Sequence, residues 1–138
     1  MIRSISHLGL AVTDLEAAIV RYRDVLGFTL ERRWTSEPEG MEAAELRSGE
    51  ARVELMQPTR LDSPVGKFLA KRGEGVHHVC YAVDDVASAL ADARDHGLET
   101  IDATPRVGSD GRTRVGFLHP RSVGGVLVEL EAPVPTTR

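Results

Sequence analysis

The sequence predicts an α+β fold of two tandem βαβββ modules whose strands form a curved, cupped mixed sheet, and three observations predict it. The chain repeats itself: "HLGLAVTDLEAAI" from His7 aligns with "HVCYAVDDVASAL" from His78, a displacement of 71 residues (7 to 78). Further on, "VELMQP" from Val53 aligns with "VELEAP" from Val128 and pairs Glu54 with Glu129, a displacement of 75 residues (54 to 129). The second copy therefore needs only a few extra residues. Finally, each copy runs in the same order, from a β-rich start through an acidic helix-start signal and a helical stripe to strand-like runs.

In the first copy "ISHLGLAV" reads as a strand. Asp14 follows it, where a carboxylate accepts orphan N–H groups and opposes the positive helix end. Leu15, Ala18, Ile19, Tyr22, Val25 and Leu26 recur at helical spacing as a buried stripe, and Gly27 supplies the left-handed stop. "FTLERRW", "EAAELRSG" and "ARVELMQP" then read as strands. In the second copy the strand is "VHHVCYAV" and the acidic helix-start signal is Asp84 and Asp85. The stripe is Val86, Ala89, Leu90 and Ala93, Gly97 ends it, and "ETIDATP", "TRVGFLHP" and "GVLVELEAP" follow as strands.

Between the copies, "TRLDSPVGKFLAKRGEG" has Ser63 to cap, Pro64 at the first helical position and Gly73 or Gly75 to end a short linking helix. One domain over 1–138 is expected, with module one at about 1–58, the linking helix at about 62–74, module two at about 75–133 and a loose tail at 134–138.

Lys and Arg number 17 against 21 Asp and Glu, and a net charge of −4 gives no electrostatic footprint for nucleic acid. An anionic ligand would need a local basic cluster, and the compact one is Lys67, Lys71 and Arg72. Its bland reading is a solvated helix end that suits the dipole. No run approaches the roughly 20 apolar residues that cross a bilayer, so no membrane partner is expected. Cys80 is the sole cysteine and the opening MIRSISHLGL lacks a long apolar segment, so a reducing cytoplasm is the expected address.

The residues that could carry chemistry are His7, Glu54, His78 and Glu129, one His and one Glu from equivalent places in each copy. Singly, each has an ordinary reading: a strand histidine is usually a satisfied polar group, and a Glu between Val and Leu often faces water on a half-buried strand. Their joint match in the repeat points to a metal instead. Two imidazoles and two carboxylates suit Zn²⁺, Co²⁺, Ni²⁺, Mn²⁺ or Fe²⁺, and an ion that accepts six ligands keeps positions open for a substrate. His77 matches Ser6 and must face away from His78. His96 suits a helix C-terminus, Cys80 reads as a small apolar side chain, and His119 before Pro120 either holds a turn or reaches a ligand.

With these residues the chain resembles the vicinal oxygen chelate superfamily, which pairs βαβββ modules around a metal. Within it the chain is similar to the methylmalonyl-CoA epimerase family, on "HLGLAVTDLEAAIVRYRDVLGF", "VELMQPTRLDSPVGKFLAKRGEGVHHVCYAVDD" and "VGFLHPRSVGGVLVELEAP". The resemblance implies a divalent metal, cobalt(II) first, with zinc, manganese or nickel as alternatives, held by His7, Glu54, His78 and Glu129. It also implies an acyl-CoA substrate and a homodimer. Some members with Gln at the position of Glu54 carry a further glutamate on the preceding strand as a base. Here that position matches Ala43, so the role does not transfer; Glu45 shares its face. The expected reaction moves a proton on the carbon beside a thioester, with Glu54 and Glu129 as the catalytic pair and Lys67, Lys71, Arg72 and His119 toward the substrate. The same ligand set would suit a lactoylglutathione lyase-like enzyme of thiol adducts, and the fold also serves non-catalytic small-molecule-binding proteins.

Overall fold

The computed structural model describes residues 2–135, so residues 136–138 of the expected tail lie outside the described residues. Eight strands are found among them: β1 Ile2–Ala11, β2 Thr29–Ser36, β3 Met41–Ser48, β4 Ala51–Pro58, β5 Gly75–Val83, β6 Arg106–Val107, β7 Thr113–Leu118 and β8 Leu127–Pro133. The α-helices are α1 Leu15–Val20, α2 Pro64–Arg72 and α3 Val86–Asp95. The chain divides into two compact units, His7–His77 and a second made of Met1–Ser6 with His78–Arg138.

In the first unit the strand order is β2-β3-β4-β1, with β1 parallel to β4 and the other pairs antiparallel. Strand side chains alternate faces, and each face of this sheet receives its own helix. Leu15, Ala18 and Ile19 of α1 pack with Ala44, Leu46, Val53 and Leu55. On the opposite face Val65 of α2 packs with Ala11, Met41, Ala43 and Met56. The Asp14 carboxylate caps α1 by accepting from Ala17 N at 3.0 Å. Ser63 Oγ caps α2 by accepting from Gly66 N at 3.0 Å, with Pro64 in the first turn as expected.

The expected stripe of α1 breaks down at its end. After Val20 the chain passes into a π-helical turn over Arg21–Val25, closed by Leu26 N donating to Arg21 O at 3.0 Å. A π turn holds more residues than an α turn, so it rotates the residues after it off the inward phase. Val25 and Leu26, expected inside, are 75% and 59% exposed, while Tyr22 and Phe28 meet edge to face with centroids 5.3 Å apart.

The second unit repeats the pattern as β5-β8-β7-β6, with β5 parallel to β8. Val86 and Leu90 of α3 pack with Val83, Leu118, Val128, Leu130 and Ala132. Asp85 caps α3 by accepting from Ala87 N at 3.2 Å, while Asp84 pairs with Arg3. The expected strand at "ETIDATP" is reduced to a single bridge between Thr100 and Leu118 and to the short β6 beyond it. Asp102 explains the loss: its carboxylate accepts from Phe117 N at 2.8 Å and from Arg106 Nε at 2.9 Å, so a side chain takes a place that a strand backbone would fill.

Candidate active site

Each unit buries one His–Glu pair on the sheet face away from the helix that follows its first strand. In the first unit β1 and β4 align Gly9 with Glu54, and His7 lies two residues before Gly9 on the same face. His7 Nε2 is 3.3 Å from Glu54 Oε2, and the side chains are only 6% and 11% exposed. In the second unit β5 and β8 align Cys80 with Glu129, two residues after His78. His78 Nε2 is 3.2 Å from Glu129 Oε1, with side chains 5% and 13% exposed. The two pairs match in geometry and in place within their modules, as the repeat predicts.

The first-unit pair sits in a row of charged groups. Glu45 lies directly opposite Glu54 across β3 and β4, and Arg32 lies opposite Glu45 across β2 and β3. Arg32 Nη2 donates to Glu45 Oε2 at 3.3 Å, and the Arg32 guanidinium carbon stands 4.7 Å from the Trp34 ring centroid. A register shift between Leu30 and Arg32 produces this alignment, leaving Glu31 to pair with Arg47 at 2.7 Å. In an unshifted ladder Glu31, and not Arg32, would face Glu45. Sequence reasoning placed Glu45 on the face of Ala43 but missed Arg32, because a bulge has no signature in residue alternation.

Around the second-unit pair, His78 meets the Phe117 ring edge to face at 6.3 Å, and Arg106 covers that ring at 5.0 Å. Glu131 lies two residues beyond Glu129 and accepts a short hydrogen bond from Ser6 Oγ. This second carboxylate on one face has no counterpart in the first module, where Met56 stands at the matching position.

The remaining expected residues are placed less centrally. Lys67, Lys71 and Arg72 are exposed on α2, with Arg72 over Phe68 at 5.6 Å. His77 faces the same Phe68 ring edge to face at 5.1 Å. His119 Nδ1 accepts from Arg121 N at 3.2 Å and so holds its own turn. Next to it, a hydrogen bond and charge from Arg121 hold the Glu99 carboxyl below its ordinary range. His96 Nδ1 lies 2.8 Å from Asp92 O at the end of α3. Cys80 is buried and forms no disulfide. Among the described residues no helix is long and apolar enough to cross a membrane.

Residues 6–117 match the Glyoxalase/Bleomycin resistance protein/Dioxygenase superfamily, and the chain belongs to that family. Its similarities narrow the class further. It is 35% identical to the ethylmalonyl-CoA/methylmalonyl-CoA epimerase of Cereibacter sphaeroides, over 95% of this chain and 98% of that one. A methylmalonyl-CoA epimerase structure in complex with methylmalonyl-CoA and NH4+ superposes with a TM-score of 0.91 at 40% identity, covering 97% of this chain and 96% of that one. A variant of the Streptomyces coelicolor methylmalonyl-CoA epimerase, in complex with 2-nitronate-propionyl-CoA, also superposes with a TM-score of 0.91 at 40% identity, covering 98% and 100%. The chain is thus an enzyme of the epimerase class, and its fold is that of these epimerases.

Proposed function

We propose that the chain interconverts the two C2 epimers of methylmalonyl-CoA, using a divalent metal held by His7, Glu54, His78 and Glu129. The observation that carries this reading is the recurrence of one buried His–Glu pair, at 3.3 and 3.2 Å, in a matching place of each module. The donor set fits such an ion: neutral imidazoles and carboxylates together suit borderline divalent metals. The family resemblance alone puts cobalt(II) first, with zinc, manganese and nickel as alternatives. A bound ion would supply Lewis-acid stabilisation of the charge that develops when a proton leaves the carbon beside the thioester.

The chain's own residues do the rest. C2 lies between a thioester carbonyl and a carboxylate, so it is a weak carbon acid whose inversion needs removal of a proton on one face and return on the other. Glu54 and Glu129, one from each module, are assigned those two roles. In either direction one carboxylate takes the C2 proton and becomes a carboxylic acid, and the other, already protonated, gives a proton to the opposite face. An ordinary carboxylate is a feeble base, so this step requires a carboxylate more basic than usual. Ala43 offers no base, which leaves the work to the glutamates that are present.

Lys67, Lys71 and Arg72 draw the phosphates of the coenzyme from solution, and His119 shapes a loop toward the substrate. A homodimer in the cytoplasm completes the reading, and a buried Cys80 that forms no disulfide accords with a reducing compartment. The test uses protein purified without chelator and supplied with one epimer of methylmalonyl-CoA. Appearance of the other epimer, loss on adding chelator and recovery with cobalt support the reading. Turnover of the hemithioacetal of glutathione and methylglyoxal in its place would favour a lactoylglutathione lyase-like activity. Saturable binding of small molecules without turnover would leave a binding protein of the same fold.

A further inference from the structure

The face of the first unit that carries His7 and Glu54 has one covered end and one open end. Toward Trp34, Ala43 and Met56 it is closed by α2, and Ala43 and Met56 are 0% and 2% exposed. At the other end, Arg52 precedes Glu54 by two residues on β4 and Arg47 follows Glu45 by two on β3, so both point to this same face. The ladder sets Arg47 directly opposite Arg52, and both are exposed.

Two like charges directly opposite each other destabilise an antiparallel pair. Glu31 takes the Nε of Arg47 at 2.7 Å, which leaves the outer edge of that guanidinium available. Arg52 has no ion-pair partner among the described residues. Two residues along a strand span about 7 Å, so the pair stands one step from Glu54, at the exposed end of this face. A planar, permanently charged fork is also the side chain best matched to phosphate oxygens.

We propose that Arg47 and Arg52 are a docking pair for phosphate groups of the thioester substrate, holding its nucleotide end while the acyl end lies over Glu54. This rests on the acyl-CoA reading above and adds direct phosphate contact to the longer-range attraction of the α2 lysines.

Calorimetric titration of the full chain with free coenzyme A, and with pantetheine, which lacks every phosphate, tests the pair without requiring turnover. In Arg52→Glu and in Arg47→Glu/Arg52→Glu, the preference for coenzyme A over pantetheine should fall about tenfold, the loss expected for one charge-assisted phosphate contact. Arg52→Lys should recover part of it. An unchanged preference in both variants, or a loss that appears only in Lys67→Glu/Lys71→Glu, would overturn the docking pair. Absence of coenzyme A binding by the parent protein would overturn it as well. Normal coenzyme A binding with no epimerisation would leave the docking pair standing and remove the proposed reaction.

Discussion

The imidazole Nε2 of His7 lies 3.3 Å from Glu54 Oε2, and nearly the same separation, 3.2 Å, recurs between His78 and Glu129. If these are metal ligands, loss of either histidine should empty the site. Loss of an outer partner of a metal ligand already costs about 10–100-fold in affinity. His7→Ala and His78→Ala should therefore each weaken cobalt binding at least tenfold, measured by equilibrium dialysis with elemental analysis. Retention of a full equivalent of metal by both variants would contradict the ligand assignment.

Arg32 faces a different trial. Its guanidinium balances Glu45, whose side chain is 15% exposed and stands directly opposite Glu54. Arg32→Ala would leave the Glu45 carboxylate facing the buried Glu54 without its guanidinium partner. The expected cost is about 1–3 kcal/mol in urea unfolding, the range for stranding a charged partner. Adding Glu45→Ala to that variant should restore most of the loss, because the uncompensated charge is then gone. No recovery in the double variant would show that Arg32 contributes by packing on Trp34 alone.

The start of α2 depends on two neighbouring positions. Ser63 is fully buried and caps the helix through Gly66 N, so Ser63→Ala should cost about 1 kcal/mol. Gly66→Ala should cost more, because its added methyl would lie 2.7 Å from the carbonyl oxygens of Arg60 and Leu61 and the backbone must shift. Thermal denaturation ranks the two variants; equal stability of Gly66→Ala and the parent would refute the close approach.

Acid should release a contact next to this helix. Glu74 accepts from Thr13 N at 2.9 Å and from Thr13 Oγ1 at 3.2 Å, and these bonds, the backbone one first, hold its carboxyl below the ordinary value of about 4.5. A carboxyl with a depressed folded-state pKa stabilises the fold above its unfolded value, and that contribution is lost as pH falls through the folded value. Glu74→Gln should therefore flatten the acid limb of the stability curve below about pH 4.5, read from unfolding midpoints across pH. An unchanged limb would show that the Glu74–Thr13 contact contributes nothing to acid stability.

The sequence revealed most where one physical rule decides the outcome. Asp14, Ser63 and Asp85 could be read as caps because a short polar side chain before an apolar stripe has one good use. The repeat revealed both His–Glu pairs, since matching places in equivalent modules receive the same environment. Three features escaped, each for its own reason. The π turn after Val20 inserts a residue that helical spacing cannot register, so Val25 and Leu26 were assigned inward. The bulge at Glu31 exchanges the residue facing Glu45, and alternation counting passes over it. The strand expected at residues 99–105 is displaced by the hydrogen bonds of Asp102, a competition between side chain and backbone decided by tertiary contact.

Proton NMR of methylmalonyl-CoA in D₂O follows the C2 proton itself. The metal-loaded protein should wash the C2 proton out into solvent. Glu54→Gln and Glu129→Gln, folded by circular dichroism and loaded with metal, should each lose interconversion and lose exchange for the one epimer whose proton the missing carboxylate takes. A C2 signal that persists with the parent protein, or full exchange of both epimers in both variants, would overturn the proposed reaction.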